Sequence, residues 1–167
     1  GGYPYKDCNE EWNGINFVTG CTLPVAVGSP GGLGTQAAGA IAGGSANSGI
    51  VGCTQEYTKN FIAPYTTCVW TSGASNILAK SGGKGAGDSS AALTFGGSIS
   101  PTRVACTEEY NGTNWSAGGS MINAVGNFGG TGTANAALAA GGEPATCCKA
   151  EEYNGSTWAS GGNLSQG

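Results

Sequence analysis

The acidic pairs Glu10-Glu11, Glu108-Glu109 and Glu151-Glu152 are the first residues whose types and spacing could do chemistry. Adjacent carboxylates could act as acid and base on a glycosidic bond or supply oxygen ligands to calcium. Their recurrence points elsewhere. A catalytic pair is needed once, whereas a pair that returns at one strand position is expected to serve repeat packing. One carboxylate of each pair then faces solvent, and the other caps a neighbouring turn or accepts its backbone amides. Histidine is absent from all 167 residues, which removes the commonest general base, the Ser-His and Cys-His nucleophile systems and most catalytic zinc sites. The expectation is a protein that is not an enzyme and holds no metal or cofactor.

Seven cysteines are many for a reducing compartment, and no Cys-x2-Cys pair or histidine partner makes them zinc ligands. They imply an oxidising, extracellular location. Cys8, Cys53 and Cys106 each lie four residues before an aromatic, at equivalent places, and read as disulfide staples. Cys21 and Cys68 suggest short loops closed as Cys8 with Cys21 and Cys53 with Cys68, leaving Cys106 for Cys147 or Cys148. The adjacent Cys147 and Cys148 are not expected to bond each other, because a vicinal bridge strains the backbone. An odd total leaves one thiol free, paired between chains, or joined to sequence outside this chain.

Asn111, Asn114, Asn154 and Asn163 each begin an Asn-x-Ser/Thr acceptor for glycosylation, two of them in Asn-Gly turns that would place them in solvent. Trp12, Trp70, Trp115 and Trp158 could stack on sugar rings. The segment Thr58 to Thr67 reads as the longest unusual loop, and Phe61, Ile62 and Tyr65 make it the candidate contact with another subunit or a ligand.

Composition bounds the elements that could hold these residues. With 33 glycines, 10% charged residues and 39% hydrophobic ones, the chain should fold as one domain rich in turns and poor in helix. A net charge of −4 with six basic residues leaves no cationic stripe for phosphates, so nucleic acid is excluded as a partner and anionic membranes are disfavoured. No apolar run is long enough for membrane insertion. The opening Gly1-Gly2-Tyr3-Pro4 carries neither an initiator Met nor a signal core, and reads as the start of a processed or truncated product.

Aligning the chain against itself exposes a period. Glu10-Glu11-Trp12-Asn13-Gly14-Ile15-Asn16-Phe17 returns as Glu108-Glu109-Tyr110-Asn111-Gly112-Thr113-Asn114-Trp115 and as Glu151-Glu152-Tyr153-Asn154-Gly155-Ser156-Thr157-Trp158. A looser copy runs from Gln55-Glu56-Tyr57 to Trp70. A second phrase ends in a double glycine: Ala40-Ile41-Ala42-Gly43-Gly44, Ala92-Leu93-Thr94-Phe95-Gly96-Gly97 and Ala137-Leu138-Ala139-Ala140-Gly141-Gly142. The second phrase reads as a buried strand closed by a turn that only glycine makes without strain, and the first as a hairpin on an Asn-Gly turn. The units, approximately 1–42, 43–95, 96–140 and a partial 141–167, cannot each bury their own faces, so stability must come from stacking them.

The order of an apolar strand, a double glycine, a tyrosine and then a tryptophan resembles the kelch repeat, in the divergent form of bacteriophage and environmental microbial surface proteins. Phe95-Gly96-Gly97 with Tyr110 and Trp115 fits it, as does Ala140-Gly141-Gly142 with Tyr153 and Trp158. The resemblance implies an all-β fold of kelch-like β-propeller blades, about three and a half four-stranded repeats, with the tryptophans packing between blades. Enzymes of this kind that resemble galactose oxidase need copper-ligating histidines, which this sequence lacks. The open blade edges of three and a half units must be covered, by closure in a dimer of about seven blades, head to tail along a filament, or by further sequence of a longer parent chain. The expected role is a structural or interaction module at a virion surface, phage tail or surface filament, with itself as partner. The alternative is a lectin-like adhesion module that binds glycans.

Overall fold

In a computed structural model, the structure describes residues 10–12, 15, 17–35, 38–62, 65–143 and 149–165, and among these there is no helix. An antiparallel hairpin, β1 (Glu10–Trp12) and β2 (Phe17–Thr19), precedes three four-stranded sheets. Sheet I holds β3 (Gly31–Gly34), β4 (Ala38–Ala42), β7 (Thr54–Ile62) and β8 (Tyr65–Ser72), with the two-stranded β5 (Ser45–Ala46) and β6 (Gly49–Ile50) inserted after β4. Sheet II holds β9 (Lys84–Gly87), β10 (Ala92–Phe95), β13 (Thr107–Tyr110) and β14 (Trp115–Ala117), with β11 (Ser98–Ile99) and β12 (Thr102–Arg103) at the same place. Sheet III holds β15 (Gly129–Thr133), β16 (Ala136–Ala140), β17 (Lys149–Tyr153) and β18 (Trp158–Asn163).

Each sheet is an antiparallel meander whose strands neighbour one another in chain order. The sheets span residues 31–72, 84–117 and 129–163, so a boundary placed at the double glycine runs through the middle of a sheet. All four residues of β10 are buried, as a strand covered on both faces requires, with Leu93 and Phe95 wholly inaccessible.

The double glycines act alike in every sheet. Gly43, Gly96 and Gly141 have φ of 66°, 60° and 73°, and Gly44, Gly97 and Gly142 have φ of 113°, 100° and 103°. Side chains with a Cβ rarely adopt this left-handed backbone. The turn aims the N–H of Gly43, Gly96 and Gly141 at the carbonyls of Cys53, Cys106 and Lys149, which stand just before or at the start of the third strand of each sheet.

The Asn-Gly hairpins turn differently from a two-residue connection. Asn111 and Asn154 keep negative φ while Gly112 and Gly155 sit at 87° and 93°, and residues 111–114 and 154–157 form the turn. Each asparagine Oδ1 accepts two backbone N–H groups, from Thr113 and Asn114 and from Ser156 and Thr157. The side chain, not a left-handed asparagine, closes the turn.

The expected loop at 58–67 is instead strand at 58–62 and 65–67. Tyr57 still pairs with Trp70, as Tyr110 pairs with Trp115, and the extra residues extend the ladder out to Ile62 against Tyr65. Thr58, Phe61, Ile62, Tyr65, Thr66, Thr67 and Val69 are β-branched or aromatic, so they prolong the pleat they follow. Phe61 and Ile62 thus lie on β7 and Tyr65 on β8, and their side chains fall outside what is described.

Glycine also explains how closely the sheets approach. The first strands lie side by side, β9 against both β3 and β15. A Cβ built on Gly85 would sit 2.7 Å from the Gly32 carbonyl oxygen, and one on Gly130 would sit 2.6 Å from Lys84 Cβ. Larger residues at these two positions would push neighbouring sheets apart.

Candidate functional site: the sheet-to-sheet contacts

Adjacent sheets are joined by one set of polar contacts, built twice. Tyr110 and Tyr153 lie on the third strands of sheets II and III, and their hydroxyls donate to Glu56 and Glu109 on the preceding sheets. Trp115 Nε1 donates to Thr54 Oγ1 at 2.9 Å, and Trp158 Nε1 donates to Thr107 Oγ1 at 2.8 Å. Within each sheet the two aromatics lie against each other, at 4.9 Å and 5.1 Å between ring centroids. Gly73 and Gly118 leave room for the tyrosine–glutamate bond, since a Cβ there would sit 2.7 Å from Glu56 Oε1 and 2.8 Å from Glu109 Oε1.

The first acid of each pair faces the other way and clasps the connector of the preceding sheet. Glu108 accepts the N–H groups of Ile77 (2.7 Å) and Leu78 (3.2 Å), and Glu151 those of Ile122 (2.8 Å) and Asn123 (3.0 Å). Gln55, at the same position in sheet I, makes two 2.9 Å bonds with the backbone of Val25. Both glutamates are buried, and two backbone donors apiece meet the cost of removing a carboxylate from water. Repetition therefore marks positioning residues, and the second acids, Glu109 and Glu152, are half-buried and exposed.

Lys80 is the one buried lysine among the described residues, 2% exposed, with its Nζ 3.0 Å from Glu108 Oε1 and 3.4 Å from Cys106 Sγ. Valine fills the equivalent connector position elsewhere, as Val27 and Val125. In sheet III the lysine moves to Lys149, which lines a small cavity with Glu151. Each buried glutamate thus has a lysine nearby, whereas the neutral Gln55 stands with Val27 and Cys53.

The phenols of Tyr110 and Tyr153 are pushed up to about 12, chiefly by burial, then by the hydrogen bond to the facing glutamate and by its charge. Burial raises the Cys53 thiol, against a smaller lowering by a backbone hydrogen bond. In the turn between β9 and β10, Asp88 is lowered by bonds from the Ser90 hydroxyl and the Ser90 and Ala91 amides.

Two expected staples are not formed, because Cys53 and Cys106 are free thiols. Cys68 pairs in register with Lys59, six positions beyond Cys53, which immediately precedes β7. That separation is about 20 Å, whereas bridged Cα atoms stay within about 7 Å. Cys106 is a free thiol whose sulfur lies 3.4 Å from Lys80 Nζ. Cys21 is disulfide-bonded. Cys8, Cys147 and Cys148 lie outside the described residues.

Asn111, Asn114, Asn154 and Asn163 are all exposed. Trp115 and Trp158 are buried between sheets, with no face free for a sugar. A cleft of about 200 Å³ opens between sheets II and III, lined by Ala91, Ala92, Glu109, Tyr110, Asn111, Ser116, Ala134 and Asn135. No group of three metal-ligating side chains occurs among the described residues.

No family model and no curated protein matches the chain.

Sequence reasoning missed three parts of this arrangement. The glycine-rich first strands Gly31–Gly34, Lys84–Gly87 and Gly129–Thr133 carry no apolar phrase, although their glycine spacing recurs. The connector segments that the glutamates clasp repeat as Ile77-Leu78-Ala79 and Ile122-Asn123-Ala124, and Ala26-Val27-Gly28 returns as Ala124-Val125-Gly126, a short phrase outside the two phrases aligned above. The threonines that receive the tryptophans, Thr54 and Thr107, stand three residues before each tyrosine and were visible as a repeated position.

Proposed function

We propose that the chain is a structural and interaction module of kelch-like propeller type, its three sheets serving as successive blades, displayed in an extracellular assembly such as a virion surface, phage tail or surface filament. It performs no catalysis and associates with itself through open blade edges. The observation that carries this reading is the contact set built twice from equivalent residues, Tyr to Glu, Trp to Thr, and the buried acid to the connector amides. Such a device propagates by adding units, and its polar residues are consumed in positioning. Sedimentation of the full chain over a wide concentration range tests it. Reversible, concentration-dependent association supports the scaffold, and a strictly monomeric chain contradicts it.

A second reading, a lectin-like adhesion module, is favoured by the cleft between sheets II and III, where Glu109, Asn111, Ser116 and Asn135 offer donors and acceptors beside Tyr110. A glycan array separates the two: saturable binding lost in Asn135→Ala favours the adhesion module, and assembly without sugar binding favours the scaffold.

A further inference from the structure

We infer that the outward face of sheet III receives the β1–β2 hairpin of a second copy of this chain, in the register that joins the sheets internally. This rests on the self-association reading above and names the two surfaces that would carry it.

The face of sheet III keeps the layout of the buried faces before it. Leu138 occupies the position of Leu93, yet it is 39% exposed where Leu93 is 0%. Leu164, which aligns with the buried Met121, is 45% exposed. Gly119 admits the next hairpin so closely that a Cβ would sit 2.2 Å from the Ser156 carbonyl oxygen, and the aligned Gly162 has open space around it. One feature has changed. Thr54 and Thr107, which accept the indole N–H of the following tryptophan, are replaced by Ala150, which offers no hydroxyl.

The β1–β2 hairpin carries the matching change. Trp12 pairs with Phe17 as Tyr110 pairs with Trp115, so Phe17 stands at the tryptophan position and has no N–H to donate. Phe17 is 66% exposed, and Ile15, which aligns with Ser156, is exposed too. A tryptophan over Ala150 would lose the threonine acceptor that Trp115 and Trp158 both use, and a phenylalanine over Thr107 would leave that hydroxyl without its indole donor. Phe17 over Ala150 leaves neither. Phe17 without a donor and Ala150 without an acceptor match each other, as a head-to-tail contact between copies would.

The test uses sedimentation equilibrium of the full chain and three sets of variants. Phe17→Asp alters the hairpin alone, and Leu138→Lys alters the sheet III face alone, with its ammonium across from Glu152. Each alone should weaken association about thirtyfold, with thermal unfolding of the monomer unchanged. Mixed, they should give a dimer that grows no further, because each variant keeps the surface the other lacks. Phe17→Trp should weaken association, and adding Ala150→Thr should restore it. If the wild-type chain associates but these variants match it, the assigned face is wrong and the scaffold reading stands; a wild-type chain that stays monomeric overturns both.

Discussion

The contact between sheets I and II and the contact between sheets II and III share their hydrogen bonds and differ in almost everything else. The first is built from small residues, Ala42, Ala92 and Ala74 with Leu33, under Tyr110 and Trp115, and it buries the Lys80–Glu108 ion pair. The second packs Leu93, Phe95, Met121, Val125 and Phe128 under Tyr153 and Trp158, with Phe95 4.9 Å from the Trp158 ring and 5.9 Å from that of Phe128. Phe95 and Ala42 occupy the same position before the double glycine. A polar framework that sets register and spacing leaves the apolar filling free to vary, and bulk lost at one site is replaced by a neighbour or by charge.

Truncating the bulk should break the second contact hardest. Phe95→Ala removes a wholly buried ring that touches two others and should lower stability by about 3–5 kcal/mol, read as a shift in the urea midpoint at constant slope. Ala42 already tolerates a methyl at the equivalent place, so a cost below about 1 kcal/mol would show that the second core is not packed as described.

The buried charge should break the first contact nearly as hard. Glu108→Ala strands Lys80 and two connector amides and should cost about 3–5 kcal/mol. Glu151→Ala strands amides without a buried ammonium and should cost about 1–3 kcal/mol. Rebuilding the Gln55 arrangement by combining Lys80→Val with Glu108→Gln should cost less than about 1.5 kcal/mol. If the double variant is no more stable than Glu108→Ala in urea unfolding, the lysine and the glutamate are not one unit.

The shared framework should respond equally at both contacts, and less strongly. Trp115→Phe and Trp158→Phe each remove one indole donor and leave a buried threonine hydroxyl without it, for about 1 kcal/mol apiece. A cost near zero at either site in thermal or urea unfolding would show that its bond is incidental.

Alkali offers the gentlest probe. Tyr110 and Tyr153 have folded values raised from 10 to about 12, so their contribution is whole below pH 10 and is lost as pH rises through 12. A pH series of unfolding midpoints should fall across that window in the wild type. The fall should be shallower in Tyr110→Phe and in Tyr153→Phe.

Much of this was legible in the sequence because the period carries residues whose roles are local. The double glycines announce a left-handed turn, and the hairpin phrase places its tyrosine and tryptophan in register. Even the eight-residue excess between Tyr57 and Trp70 falls within the correct hairpin, although β-branched residues make it strand where a loop was expected. What stayed hidden depends on three dimensions. Whether a cysteine finds a partner depends on strand register, which sets Cys68 against Lys59. The direction in which Glu108 and Glu109 face depends on which neighbour each sheet surface meets. Nothing local marks Lys80 as buried, because its carboxylate lies 28 residues away.

The central claim is that one repeated framework couples each sheet to the next, and paired double-mutant cycles test it most directly. Tyr110→Phe with Glu56→Gln, and Tyr153→Phe with Glu109→Gln, should each give a coupling of about 1–2 kcal/mol, equal within error. A coupling near zero in either cycle would contradict the claim.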